Sequence, residues 1–278
     1  MSASEKLCNV CGRRTAVYRR RDSGEKLCAY CLGRSLVRRI KRGISRSVRL
    51  KHKALVAILT LQERIVESLV LTEIVNSVER NYGGHVLVIV VDQTTPRIIR
   101  MNFTENVPII YFHHRGAKEI TPLGLLRMIN SITPGLQNIG FRIDAVLTPL
   151  TLNDFFEAQL ESLLAKAKLT EYITPLPSII GQSVIVHPMS NILRQDVYAY
   201  AFFRGLFNNY YLREYALSHN YTLRRNCIDS VFKDISADFA EHHPELLFKF
   251  VETITSLMLM TVGQGKDRGL RVAQLNHH

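Results

Sequence analysis

Acidic residues are nearly missing from the first 53 positions, where only Glu5, Asp22 and Glu25 stand against sixteen lysines and arginines. That segment carries +13 and residues 54–278 come to −1, so the net charge of +12 is a local property of the N-terminal end. An evenly charged surface is excluded, and a polyanionic partner is the expectation. Long apolar runs are also missing. None approaches the roughly 18 residues that cross a bilayer, which excludes a membrane helix and leads to the expectation of a soluble, cytoplasmic protein with no membrane partner. Cysteine is scarce, and after Cys31 only Cys227 remains of five. That distribution excludes a disulfide scaffold and, with no export signal ahead of Cys8, fits a reducing compartment. Tryptophan is absent, which excludes no function.

Four of the five cysteines form Cys8-Asn-Val-Cys11 and Cys28-Ala-Tyr-Cys31, two pairs separated by sixteen residues. Two thiolates spaced by two residues grip one side of a tetrahedral ion, and a second pair closes the other. The spacing predicts a structural zinc site, with iron as the open alternative. Around it lie Arg13, Arg14 and the run Arg19-Arg20-Arg21, placed at the tip of a ribbon loop between the pairs. Leu36, Val37, Ile40, Ile44 and Val48 then recur at helical spacing. Arg38, Arg39, Lys41, Arg42, Arg46, Arg49, Lys51 and Lys53 fill the intervening faces. This predicts a basic amphipathic helix, with a possible bend at Gly43. Together these cations are the candidate nucleic-acid surface, where each phosphate contact would add a salt-dependent increment of affinity.

The remainder is 46% apolar in a chain of 278 residues, enough for a sizeable core. Ala54–Leu59, His85–Val91 and Val107–Phe112 are apolar runs without alternation, as in strands buried on both faces. Helical spacing over 62–79, 123–132 and 153–167, with strands at 141–147 and 183–186, gives alternating β and α elements and hence a parallel α/β sheet. Three helices are predicted over 194–208, 226–241 and 245–260. The domain reading is a ribbon over 1–34, a basic linker helix over 35–53, an α/β domain over 54–190 and a helical region over 191–278. His113-His114-Arg115 and Asp92 read as polar exits from strands, and the aromatic group Tyr198, Tyr200, Phe202, Phe203 and Phe207 as core or a subunit contact.

The two cysteine pairs, the basic helix and a buried strand entering a helix resemble the PP-loop ATP pyrophosphatases that thiolate tRNA, the two-thiouridine synthetase group. Val186-His-Pro-Met189 followed by Asp196-Val-Tyr-Ala-Tyr-Ala-Phe is similar to that family's Arg-x-Lys-Pro-Leu segment and the helix after it. Arg224 to Pro244 is similar to its penultimate helix. The resemblance covers most of the chain. It implies a zinc ribbon on a parallel doubly wound, adenine nucleotide alpha hydrolase-like sheet, and a family that adenylates a tRNA uridine before sulfur replaces oxygen.

The positions that carry this chemistry depart from the pattern. Where the family has Ser-Gly-Gly-x-Asp-Ser after its first strand, this chain has Leu59, then Thr60, Leu61, Gln62 and Glu63, then Arg64. A phosphate cradle needs glycine so that backbone amides can approach the pyrophosphate. Thr60 and Leu61 would obstruct that approach, and Glu63 would fill the site from within. The family's Cys-x-x-Cys-Gly appears as Thr121-Pro-Leu-Gly124, without sulfur. Its Gly-His-Asn-Leu-Asp-Asp segment survives only at Asp154, and Ser218-His219-Asn220 stands near its later cysteine. Catalytic residues are therefore expected to be absent and ATP is not an expected cofactor. The expectation is a degenerate, RNA-binding relative, with tRNA as the RNA, paired with an active thiolase or with itself as a homodimer. An active enzyme with a relocated site and a protein-binding scaffold are the alternatives.

Overall fold

In the computed structural model, residues 7–61, 64–92, 107–113, 142–168, 174–180, 183–206 and 227–264 are described. The unalternated apolar runs at 54–59 and 85–91 become interior strands of a sheet, and the run at 107–112 becomes an end strand among the described residues. Strands β3 (Leu55–Leu61), β4 (His85–Asp92), β5 (Ile109–His113), β6 (Ala145–Leu147) and β8 (Ser183–Val186) are mutually parallel, while β7 (Ser178–Ile180) pairs antiparallel with β8 at one edge. Among the described residues the order is β5-β4-β3-β6-β8-β7. A separate small hairpin joins β1 (Tyr18–Arg19) to β2 (Lys26–Leu27).

Because β3 is buried on both faces, its successive side chains feed two different cores. Val56 and Ile58 pack with Leu36, Ile40, Val70, Ile74 and Val197, from helices α1 (Ala29–Ser47), α2 (Ile65–Glu79) and α4 (Arg194–Phe203). Ala57 and Leu59 pack with Phe155, Phe156, Ala240 and Val251, from α3 (Leu152–Leu164), α5 (Cys227–His242) and α6 (Pro244–Gln264). The chain leaves β3 outward through β4 and β5, then returns to β6 on the other side of β3. The carboxyl ends of β3 and β6 therefore form a topological switch point, the place where open α/β sheets bind ligands.

Three expectations change. The basic helix starts inside the ribbon at Ala29, so the 34/35 boundary falls within α1. It ends at Ser47 with extended Val48 as its cap, leaving Arg49, Lys51 and Lys53 on the loop into β3. Gly43 makes no break in α1. A Cβ there would lie 2.6 Å from the Pro188 carbonyl oxygen, so glycine lets the helix touch that backbone. The segment after Pro177, for which the sequence pattern predicts no element, contributes edge strand β7, with its prolines kept ahead of the paired residues. The helix expected over 123–132 lies outside the described residues, as do His114, Arg115, Ser218, His219 and Asn220.

Candidate functional site

The ribbon brings its four cysteines together by backbone hydrogen bonds. Cys8 N donates to Arg14 O at 2.9 Å and Gly12 N to Cys8 O at 2.9 Å, with Gly12 at a φ of +61° closing the turn. Cys28 caps α1, its sulfur accepting from Cys31 N at 3.5 Å. The four sulfurs of Cys8, Cys11, Cys28 and Cys31 all lie within 4.8 Å of one another, with Cys11 and Cys28 3.9 Å apart. Metal–sulfur bonds of about 2.3 Å in a tetrahedron put sulfurs about 3.8 Å apart, so the set fits one ion. Thiolates on a four-iron cube radiate from separate corners and stand farther apart than this. Burial opposes ionisation of Cys8, yet the amides of Cys28, Cys11 and Val10 hold its thiol down at about 6. Burial, reinforced by neighbouring sulfurs, pushes Cys31 up to about 12.

The ribbon is docked onto the core through Asp196 on α4, which is fully buried. Tyr18 Oη donates to Asp196 Oδ1 at 2.7 Å, Arg20 Nε to Oδ2 at 3.2 Å and Arg39 Nη1 to Oδ2 at 3.3 Å. Arg20 also donates to Glu25 at 3.1 Å and Ser35 at 2.9 Å. Arg39 reaches Asn191 O at 2.8 Å. These two arginines were expected on the RNA-facing surface. The structure corrects that assignment: their charge is spent inside the molecule. Arg21 is exposed but pairs with Glu241 at 3.2 Å. Arg13, Arg14, Arg19, Arg38, Lys41, Arg42, Arg46, Arg49, Lys51 and Lys53 are exposed.

At the switch point stands a cluster that the sequence did not reveal. Arg64, the first residue before α2, donates from Nε to Asp154 Oδ1 at 2.7 Å, and Arg194 Nη2 reaches the same oxygen at 2.8 Å. The other oxygen of Asp154 accepts from Thr151 N at 2.8 Å and Thr151 Oγ1 at 2.7 Å. Despite burial, the two guanidinium groups and these hydrogen bonds hold the Asp154 carboxyl well below its usual range. Arg194 also pairs with Glu157 Oε1 at 3.2 Å and lies 3.6 Å from Glu67 Oε1. Among the described residues neither of these two carboxyl groups receives a hydrogen bond, so these last contacts are electrostatic. Burial pushes Glu67 up to about 7, against the pull of Arg64 and Arg194.

Thr60 is fully buried on β3 and its Oγ1 has no hydrogen-bond partner among the described residues. Leu61 ends β3, while Gln62 lies outside the described residues, as does Glu63, expected to fill the crevice. Beyond the crevice, His187 Nδ1 is 2.6 Å from Thr148 Oγ1, and burial pushes its imidazole down to about 4. The missed residues had one visible signal. Glu67 interrupts Ile65-Val66 and Leu69-Val70-Leu71, and Glu157 follows Phe155-Phe156, so both are charges set inside apolar stretches.

The sequence matches no family model and no curated protein. Among solved structures, the chain is similar to a U34-tRNA thiolase, NcsA from Methanococcus maripaludis, solved with its four-iron–four-sulfur cluster. The TM-score is 0.67 at 16% identity, over 97% of this chain and 93% of that one. The protein thus has the α/β fold of a tRNA thiolase, together with an N-terminal four-cysteine cluster able to hold a metal ion.

Proposed function

We propose that the protein is a catalytically silent, thiolase-like RNA-binding protein, that tRNA is its ligand, and that its four-cysteine site holds zinc. The observation that carries this reading is the ion cluster at the switch point. Where a PP-loop protein would seat a triphosphate on glycines, this chain sets Arg64 and Arg194 against Asp154, Glu67 and Glu157, all nearly out of water except the partly exposed Arg194. A nucleotide entering there would have to replace bonds that the protein already makes to itself. The polyphosphate-binding charge is meanwhile displayed outside, on α1 and the loop after it. The closed, largely buried set of four sulfurs fits a structural zinc ion, which would hold the ribbon's turns and the first turn of α1 in place.

With its own crevice filled, the protein would act through a partner that supplies chemistry, an active PP-loop thiolase or a second copy of itself. Among the described residues no helix is long and apolar enough to cross a membrane. The test is filter binding of bulk tRNA across a salt series, comparing the wild type with an Arg38→Ala, Lys41→Ala, Arg42→Ala variant. Each lost phosphate contact should lower the salt slope by about one. Unchanged binding by the triple variant, or binding that ignores salt, would overturn the RNA reading. Replacing the whole Arg19-Arg20-Arg21 run would be a poor probe, since Arg20 holds the ribbon to Asp196.

A further inference from the structure

The outer side of α1 borders a groove of about 1120 Å³ that runs from Tyr30 at one end to Lys51 and Tyr82 at the other. Its two components differ in chemistry. Val37, Ile44, Val48, Tyr200 and Phe203 offer apolar and aromatic surface, while Arg34, Arg38, Lys41, Arg42 and Arg49 supply charge of one sign. Among the described residues the one acid in the lining, Glu79, is buried, and burial raises its carboxyl toward the neutral form. At 1.5 Å per residue α1 is about 28 Å long, enough to accompany several nucleotides.

Tyr30 marks the ribbon end of this groove. It lies between the two metal-binding cysteines of the second pair, yet its side chain is 55% exposed. The Arg14 guanidinium stands 4.5 Å from the ring centre and Arg34 stands 5.8 Å from it. A tyrosine with one guanidinium packed over its ring and a second, looser one near it is a stacking platform with phosphate donors beside it. A duplex makes little use of it, because its base faces are turned inward and its backbone needs only charge. An unpaired strand presents both the π-faces that match Tyr30 and the phosphates that match α1.

We infer that this groove takes an unpaired stretch of the bound RNA, with one base stacked at Tyr30 and the following phosphates held along Arg38, Lys41 and Arg42. The inference rests on the RNA reading and narrows it to the form of the ligand. Arg34, the looser of the two guanidinium groups, gives way to the base or stacks on its far face.

The experiment measures fluorescence anisotropy with the full, metal-loaded chain. The probes are a labelled RNA strand of about twelve nucleotides without secondary structure, and the same strand in a blunt duplex. The wild type should bind the strand at least about tenfold more tightly than the duplex. Tyr30→Ala should weaken strand binding by about 5- to 100-fold and leave duplex binding within about twofold, whereas Tyr30→Phe, which keeps the ring, should bind the strand like the wild type. Equal affinity for strand and duplex, or a Tyr30→Ala variant that binds the strand normally, would overturn the inference while leaving RNA binding intact. Failure to bind either form would overturn both readings.

Discussion

Arg38 and Arg42 on α1 are exposed and have no acidic partner among the described residues, whereas Arg64 and Arg194 at the carboxyl ends of β3 and β6 lie among three buried carboxylates. The side chain is the same and its energetics are opposite. On α1 a guanidinium keeps its hydration and is ready to exchange it for a phosphate. At the switch point it has already lost water, and its partners on the chain replace what water gave. The comparison teaches that a count of positive charge locates a polyanion site only after the internally paired cations are removed. Arg20 and Arg39, bound to Asp196, make the same point within the ribbon.

The largest effect should come from one substitution made in both regions. Arg64→Ala leaves Asp154 short of a partner inside the protein and should cost about 3–5 kcal/mol in urea denaturation. Arg38→Ala should stay within about 0.5 kcal/mol. Similar costs for the two variants would erase the distinction between the regions.

A smaller effect sharpens the electrostatics of the crevice. Burial raises Glu67 from 4.5 to about 7, so the folded chain keeps a proton that the unfolded chain releases. The stabilisation from this group is full below pH 4.5 and is lost as pH rises to about 7. His187 acts in the other direction. Its imidazole, held down at about 4 against 6.5, adds stability that is present above pH 6.5 and lost as pH falls toward 4. Glu67→Gln removes the first slope and leaves the second. The variant should therefore gain on the wild type between pH 4.5 and 7, by up to about 3 kcal/mol. Denaturation curves at several pH values that keep a constant difference would count against a protonated Glu67.

The smallest effect concerns how α1 is seated. Alanine is the better helix former by about 0.8–1 kcal/mol, yet a Cβ on Gly43 would meet the Pro188 carbonyl at 2.6 Å. Gly43→Ala should therefore cost about 1–3 kcal/mol of thermal or urea stability. A stabilised variant would show that the close approach of α1 to residue 188 is not needed.

Local pattern made much of this molecule legible. The Cys-x-x-Cys spacing located the sulfur cluster, and the apolar runs at 54–59 and 85–91 located adjacent strands of a parallel sheet. What escaped was set by distant pairing. Arg64 meets Asp154 across 90 positions and Arg20 meets Asp196 across 176, separations at which residue spacing carries no signal. Thr60 and Leu61 gave the reason to doubt a glycine cradle, but the groups found at the crevice come from the starts of α2, α3 and α4. Gly43 looked like a weak point of a helix because its reason lies in another segment, and β7 escaped because among the described residues it pairs with β8 alone.

Isothermal titration of the metal-loaded chain with ATP and magnesium is the most direct test of a crevice filled by its own side chains. The account predicts no heat of binding at millimolar nucleotide. Saturable binding at micromolar ATP that is lost on changing Thr60, Arg64 or Arg194 would place a nucleotide at the end of β3 and contradict it.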